Sequence, residues 1–147
     1  MRRWIGALPL ALLFAAQALA DQARATFSVA VAVPTRVELA VLDEPPTILI
    51  TTEDLQRGYV DVPARYRVNH NSRRGCLLQL AATPGVSRWI EIRGMGGTVV
   101  LRDEPVELHV PGDAFVQDIA LDLRLVFAEA VSPGQIEVPW RVAVAPL

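Results

Sequence analysis

The sequence predicts an all-β protein, one domain built from antiparallel sheets, carried behind a leader that is removed. Three observations predict it. Apolar residues recur at every second position in short runs, proline and glycine separate those runs, and no stretch sustains a 3.6-residue apolar period over three turns.

The leader comes first. Arg2 and Arg3 form a positive start, residues 5–16 are almost unbroken apolar chain, and Ala18, Leu19 and Ala20 offer the small residues that a signal peptidase reads. The predicted signal peptide is 1–20, with cleavage before Asp21, and the single domain is 21–147. A retained membrane anchor is not expected, because the central apolar run is shorter than a spanning helix and ends in small residues. The expected location is the periplasm, the cell surface or the exterior of a bacterium.

Removing the leader lowers the basic residues from 14 to 12 against 16 acidic ones, a net charge near −4. That balance argues against nucleic acid or an anionic membrane as partner. Cys76 is the only cysteine, so it has no internal disulfide partner, and its place at the start of an apolar segment predicts a buried thiol.

The elements follow in order. Residues 26–33 alternate, with Phe27, Val29, Val31 and Val33 on one face, and Pro34 ends the run. A second strand covers 36–42. Asp43, Glu44, Pro45 and Pro46 make a turn, since neither proline donates to a ladder. Residues 47–52 form a β-branched strand, a polar passage occupies 53–58, and 59–68 is a strand whose Pro63 assigns it to an edge or a bulge. Residues 69–75 read as the most polar loop. Short strands at 76–82, 89–93, 98–101 and 106–110 follow, joined by turn-forming residues that include Gly94, Met95, Gly96 and Gly97.

Two strongly alternating runs close the chain. Ile119, Leu121, Leu123, Leu125 and Phe127 line one; Ile136, Val138, Trp140, Val142 and Val144 line the other, with Glu137, Pro139 and Arg141 facing away. Their spacing predicts an antiparallel hairpin at the heart of the fold. About nine strands with turns every eight to twelve residues fit an immunoglobulin-like sandwich of two sheets, and a closed barrel is the competing architecture.

Chemistry-bearing motifs are sparse. The sequence has no H-E-x-x-H, C-x-x-C, G-x-S-x-G or phosphate-loop spacing, so no enzyme activity and no cofactor are expected. A nucleophilic set of Cys76, His109 and an aspartate rests on residue types alone. The acids Asp43, Glu44, Asp103, Glu104, Glu107, Asp113 and Asp118 lack the order of a calcium loop and read as solvated turn residues, so no metal site is expected. The best contact loop holds Asn69, His70, Asn71, Arg73 and Arg74, a set able to hold a carboxylate or a sugar hydroxyl.

The apolar segment near the predicted new N-terminus, the polar turn of 69–75 ahead of a strand, and the ending from Pro133 and Gly134 through Trp140 to Val142 together resemble the secreted, pilin-like β-sandwich proteins of proteobacteria. These include chaperone-usher fimbrial subunits and the spore coat protein U type. The resemblance covers most of the chain after the leader. It implies a sandwich completed by donated strands, with Phe27, Val29, Val31 and Val33 on the donor strand. It further implies that Ile136, Val138, Trp140, Val142 and Val144 lie on a terminal strand that a periplasmic chaperone recognises, with an usher and like subunits as further protein partners. Read without the resemblance, the domain is a self-contained binding module that uses the 69–75 loop for a small polar ligand or a protein.

Overall fold

A computed structural model describes residues 28–147; the leader and cleavage point expected from the sequence, and Phe27, lie outside the described residues. The chain divides into two units, one ending at Val33 and the other spanning Pro34–Leu147. In the first, residues 28–33 form no strand, and Val29, Val31 and Val33 are 84%, 78% and 73% exposed. The strand expected over 26–33 is therefore missing from its described part. An alternating segment becomes a strand only when a neighbouring strand completes its hydrogen bonds, and 28–33 has no such neighbour among the described residues.

The second unit is almost entirely antiparallel sheet. In chain order it runs β1 (Val37–Asp43), β2 (Thr47–Ile50), α1 (Thr52–Arg57), β3 (Tyr59–His70), β4 (Cys76–Ala82), β5 (Ser87–Gly94), β6 (Gly97–Leu101), β7 (Val106–Val110), β8 (Val116–Phe127), β9 (Gly134–Glu137) and β10 (Trp140–Pro146). Five strands make one sheet in the order β1-β3-β8-β5-β6. Three make a second in the order β10-β4-β7, and β2 pairs with β9 alone.

Alternation decides which residues are inside. Along β3, Val62, Ala64, Tyr66 and Val68 are buried while Asp61, Pro63, Arg65 and Arg67 face water; β8 does the same with Leu121, Leu123 and Leu125. Leu78 and Leu80 of β4, Ile90 and Ile92 of β5 and Val110 of β7 join them in one hydrophobic cluster shared by the two larger sheets. Each such side chain contributes about 1.5–3 kcal/mol on burial. On the outer face of the β3–β8 pair, directly opposed residues carry opposite charge. Arg124 grips Asp61 at 2.7 and 3.0 Å, and Arg67 grips Asp118 at 2.7 and 2.9 Å.

Five sequence expectations are corrected. The two final alternating runs are not a hairpin. Both flanks of β8 are taken by β3 and β5, whereas the last run is split at Pro139, sending β9 to β2 and β10 to β4. Pro139, expected to face away, is buried, and without an N–H it cannot carry the ladder across the break.

Pro63 lies in an interior strand. The pairing of β1 ends at Asp43 and Arg65, however, so on that flank no ladder reaches the proline, and the irregularity falls on β1 between Val41 and Asp43. The polar passage after β2 is a helix. Thr51 caps it by accepting from the Asp54 N–H at 3.1 Å, the Asp54 carboxylate accepts from the Thr51 N–H at 2.9 Å, and Gly58 ends it in the left-handed region. Finally, the turn after β3 begins only at Asn71, because Asn69 and His70 belong to the strand.

Candidate functional site

The five residues expected to form a contact loop are divided by the fold. His70 is an inward position of β3 and only 2% exposed; its ring meets Phe115 edge-on at 6.2 Å, and neither ring nitrogen has a hydrogen-bond partner among the described residues. Asn69 pairs with Glu38 and Val116 in the sheet. Asn71 is committed to the chain just before β1. Its side-chain oxygen accepts from the Arg36 N–H at 2.7 Å, its amide donates to the Pro34 carbonyl at 2.8 Å, and its own N–H donates to the Arg36 carbonyl at 3.2 Å. Asn69 and Asn71 are exposed but engaged in these pairings, and Arg73 and Arg74 are exposed without ion pairs among the described residues.

The turn is also locked from below. A Cβ on Gly75 would stand 2.0 Å from the Val110 carbonyl oxygen, and one on Gly112 would stand 2.2 Å from that of Arg73. Two loops that touch backbone to backbone leave no room for a side chain on either glycine. His109 adds a 3.1 Å hydrogen bond between its Nε2 and the Arg74 carbonyl. The loop is thus a fixed corner of the fold.

The residues expected to meet protein partners fall in different settings. Val29, Val31 and Val33 present an uncovered apolar row ahead of the domain. Trp140, Val142 and Val144 alternate along β10, which pairs with Leu78, Leu80 and Ala82 of β4 on one flank and, among the described residues, with no strand on the other. Trp140 is buried, whereas Val142 and Val144 are only half-covered. Ile136 is half-buried on β9, and Val138 is half-buried in the break between the two strands. β1, the edge of the five-stranded sheet, runs near β10 without pairing to it.

One side chain that sequence reasoning placed among solvated turn acids proves structural. Glu44 Oε1 accepts from the Tyr66 hydroxyl at 2.7 Å and from the Trp140 indole N–H at 2.6 Å. It ties β3 of one sheet to β10 of the other at the start of the open edge. Burial, and then the hydrogen bond to Glu44, push the Tyr66 phenol above its ordinary range. The only signal available in the sequence was an acid beside two prolines, which is also the mark of an ordinary turn.

Cys76 and His109 are not brought together. Cys76 stands opposite Val110 and points into the core, where burial raises its thiol pKa; His109 stands opposite Leu77 and faces outward. No three His, Cys, Asp or Glu side chains gather in a metal-holding group among the described residues, and no helix among them is long and apolar enough to cross a membrane. The chain matches no protein-family model, no curated protein and no solved structure.

Proposed function

We propose that the protein is an exported, immunoglobulin-like structural or adhesive subunit that assembles by strand complementation. On this reading the leader is removed and residues 26–33 of one molecule pair with an open sheet edge of the next. One observation carries the reading: Val29, Val31 and Val33 are exposed, at alternating positions, directly ahead of a domain whose core closes without them. An apolar row of this kind gains free energy only when something covers it.

The receiving edge is β10. Eight extended residues span about 26 Å, and the seven residues of β10 about 23 Å, so donor and edge match in length. The half-covered Val142 and Val144 supply apolar surface beside a flank of β10 that pairs with no described strand, although β1 lies close to β10. Before assembly the same edge would be held by a periplasmic chaperone and handed to an usher. The partners are therefore proteins, and no catalytic step is part of this function.

Sedimentation of the exported protein is the test. The processed chain forms oligomers, and removal of residues 21–33 leaves monomers with unchanged circular dichroism. A stable monomer at high concentration with 21–33 intact would refute strand donation. The alternative, a self-contained module binding a small polar ligand at the 69–75 turn, has less support, because His70 is buried and Asn71 is spent on Pro34 and Arg36.

A further inference from the structure

A different part of the molecule carries an inference that does not depend on strand donation. Where the turn from β4 to β5 meets the turn from β6 to β7, a recess of about 120 Å³ is floored by Trp89 and rimmed by Thr83, Ser87, Arg88, Arg102 and Asp103. Trp89 is half-buried, and the guanidinium carbons of Arg88 and Arg102 stand 5.3 and 5.8 Å from its ring centre. Neither arginine forms an ion pair or a side-chain hydrogen bond among the described residues, although the two other described arginines within 6 Å of an aromatic ring, Arg57 and Arg124, are each paired to a carboxylate. Two cations near one ring repel each other, and no carboxylate among the described residues, Asp103 on the rim included, is close enough to neutralise either by an ion pair.

An anion placed between them would offset that repulsion. The remaining lining narrows the choice of anion. Asp103 and the neighbouring Glu104 disfavour a densely charged ligand such as a polyphosphate, yet a carboxylate can accept from hydroxyl groups. Ser87 and Thr83 add hydroxyls on the same rim, and the indole offers a flat apolar face.

At about 120 Å³ the recess is smaller than the ~300–1,000 Å³ that buries a whole small molecule. It is not isolated, however. A recess of about 240 Å³ shares Thr83 and Pro84 with it, and another of about 420 Å³ shares Arg102 and Asp103. The series suits one unit of an extended ligand that continues on both sides.

We propose that this recess binds a carboxylate-bearing sugar unit of an acidic polysaccharide. Arg88 and Arg102 pair with the carboxylate, Trp89 stacks on the ring, and Asp103 accepts from a hydroxyl. Calorimetric titration of the protein recovered from expression of the full chain tests it, with trigalacturonate, the neutral maltotriose and a triglutamate peptide as probes.

Trigalacturonate binds and the other two do not. The double variant Arg88→Gln/Arg102→Gln weakens that binding at least about tenfold, since hydrogen bonds to charged groups are the strong ones. Arg65→Gln, on the outer face of β3, leaves it unchanged, and both variants melt with the parent. Absence of heat with trigalacturonate, equal binding in the double variant, or an equal loss in Arg65→Gln overturns the site. Equal binding of maltotriose or triglutamate overturns the assignment to acidic sugar.

Discussion

Glu44 stands 22 positions from Tyr66 and 96 from Trp140, yet one of its oxygens accepts from both. Removing the carboxylate leaves the Tyr66 hydroxyl without its acceptor and the Trp140 indole N–H with only a long 3.4 Å bond to that hydroxyl. Hydrogen bonds to a charged group contribute about 1.5–3 kcal/mol each, and a donor left unsatisfied costs its full desolvation. Glu44→Ala is therefore expected to lower stability by about 3 kcal/mol in urea unfolding, and Glu44→Gln, which keeps an acceptor, by about half as much. A loss below about 0.5 kcal/mol for the alanine variant would show that water replaces the carboxylate there. His70 has the opposite prospect. Its buried ring satisfies neither nitrogen, so His70→Leu, apolar and of similar volume, should raise stability by about 1 kcal/mol, read from the same transitions. A fall of that size would mean that the ring has a partner in solution.

Among the elements, α1 shows what a pattern reading misses. Six residues are fewer than two turns, so no apolar period exists to be read, and the helix depends on its ends. Asp54 holds the N-terminal end by three means: its oxygen on the Thr51 N–H, the same oxygen accepting from the Thr51 hydroxyl at 2.7 Å, and an ion pair with Arg57. Asp54→Ala should cost about 1–2 kcal/mol and speed hydrogen exchange at the amides of 52–58 more than at those of β3. Uniform exchange across both would show that the cap serves the whole domain. The strands were legible for the converse reason. A seven-residue strand shows its period in three apolar positions, as at Leu78, Leu80 and Ala82 of β4. What alternation does not encode is the neighbour. Val142 and Leu125 read alike, yet one lies on an edge and the other on a strand flanked on both sides, because the turn at 128–133 and the break at Pro139 route the chain between sheets. The candidate site was legible to the same degree. The apolar row at Val29, Val31 and Val33 is plain in sequence; the burial of His70 and the interlock of Gly75 with Gly112 depend on contacts between distant turns.

In the whole molecule, titrating groups from several elements bound the pH range of stability. On the acid side, Asp54, Asp61 and Asp118 all have lowered pKa values. Hydrogen bonds from Thr51 dominate for Asp54, from Arg124 for Asp61 and from Arg67 for Asp118. A carboxyl that holds its proton less tightly when folded adds stability above its unfolded pKa, near 4, and that contribution fades as pH falls through the lower folded value. On the alkaline side, burial raises the Cys76 thiol and the Tyr66 phenol. These two ionise more readily in the unfolded chain, so stability declines once pH passes the unfolded thiol value, near 8.5, and then the phenol value, near 10. The urea midpoint should therefore be level between about pH 5 and 8, fall below pH 4 and fall again above pH 9. Asp61→Asn/Asp118→Asn should flatten the acid fall without touching the alkaline one, and Cys76→Ala should flatten only the first part of the alkaline fall. An acid fall unchanged in the double variant would place the acid sensitivity elsewhere and reduce the charge rows across β3 and β8 to solvated decoration.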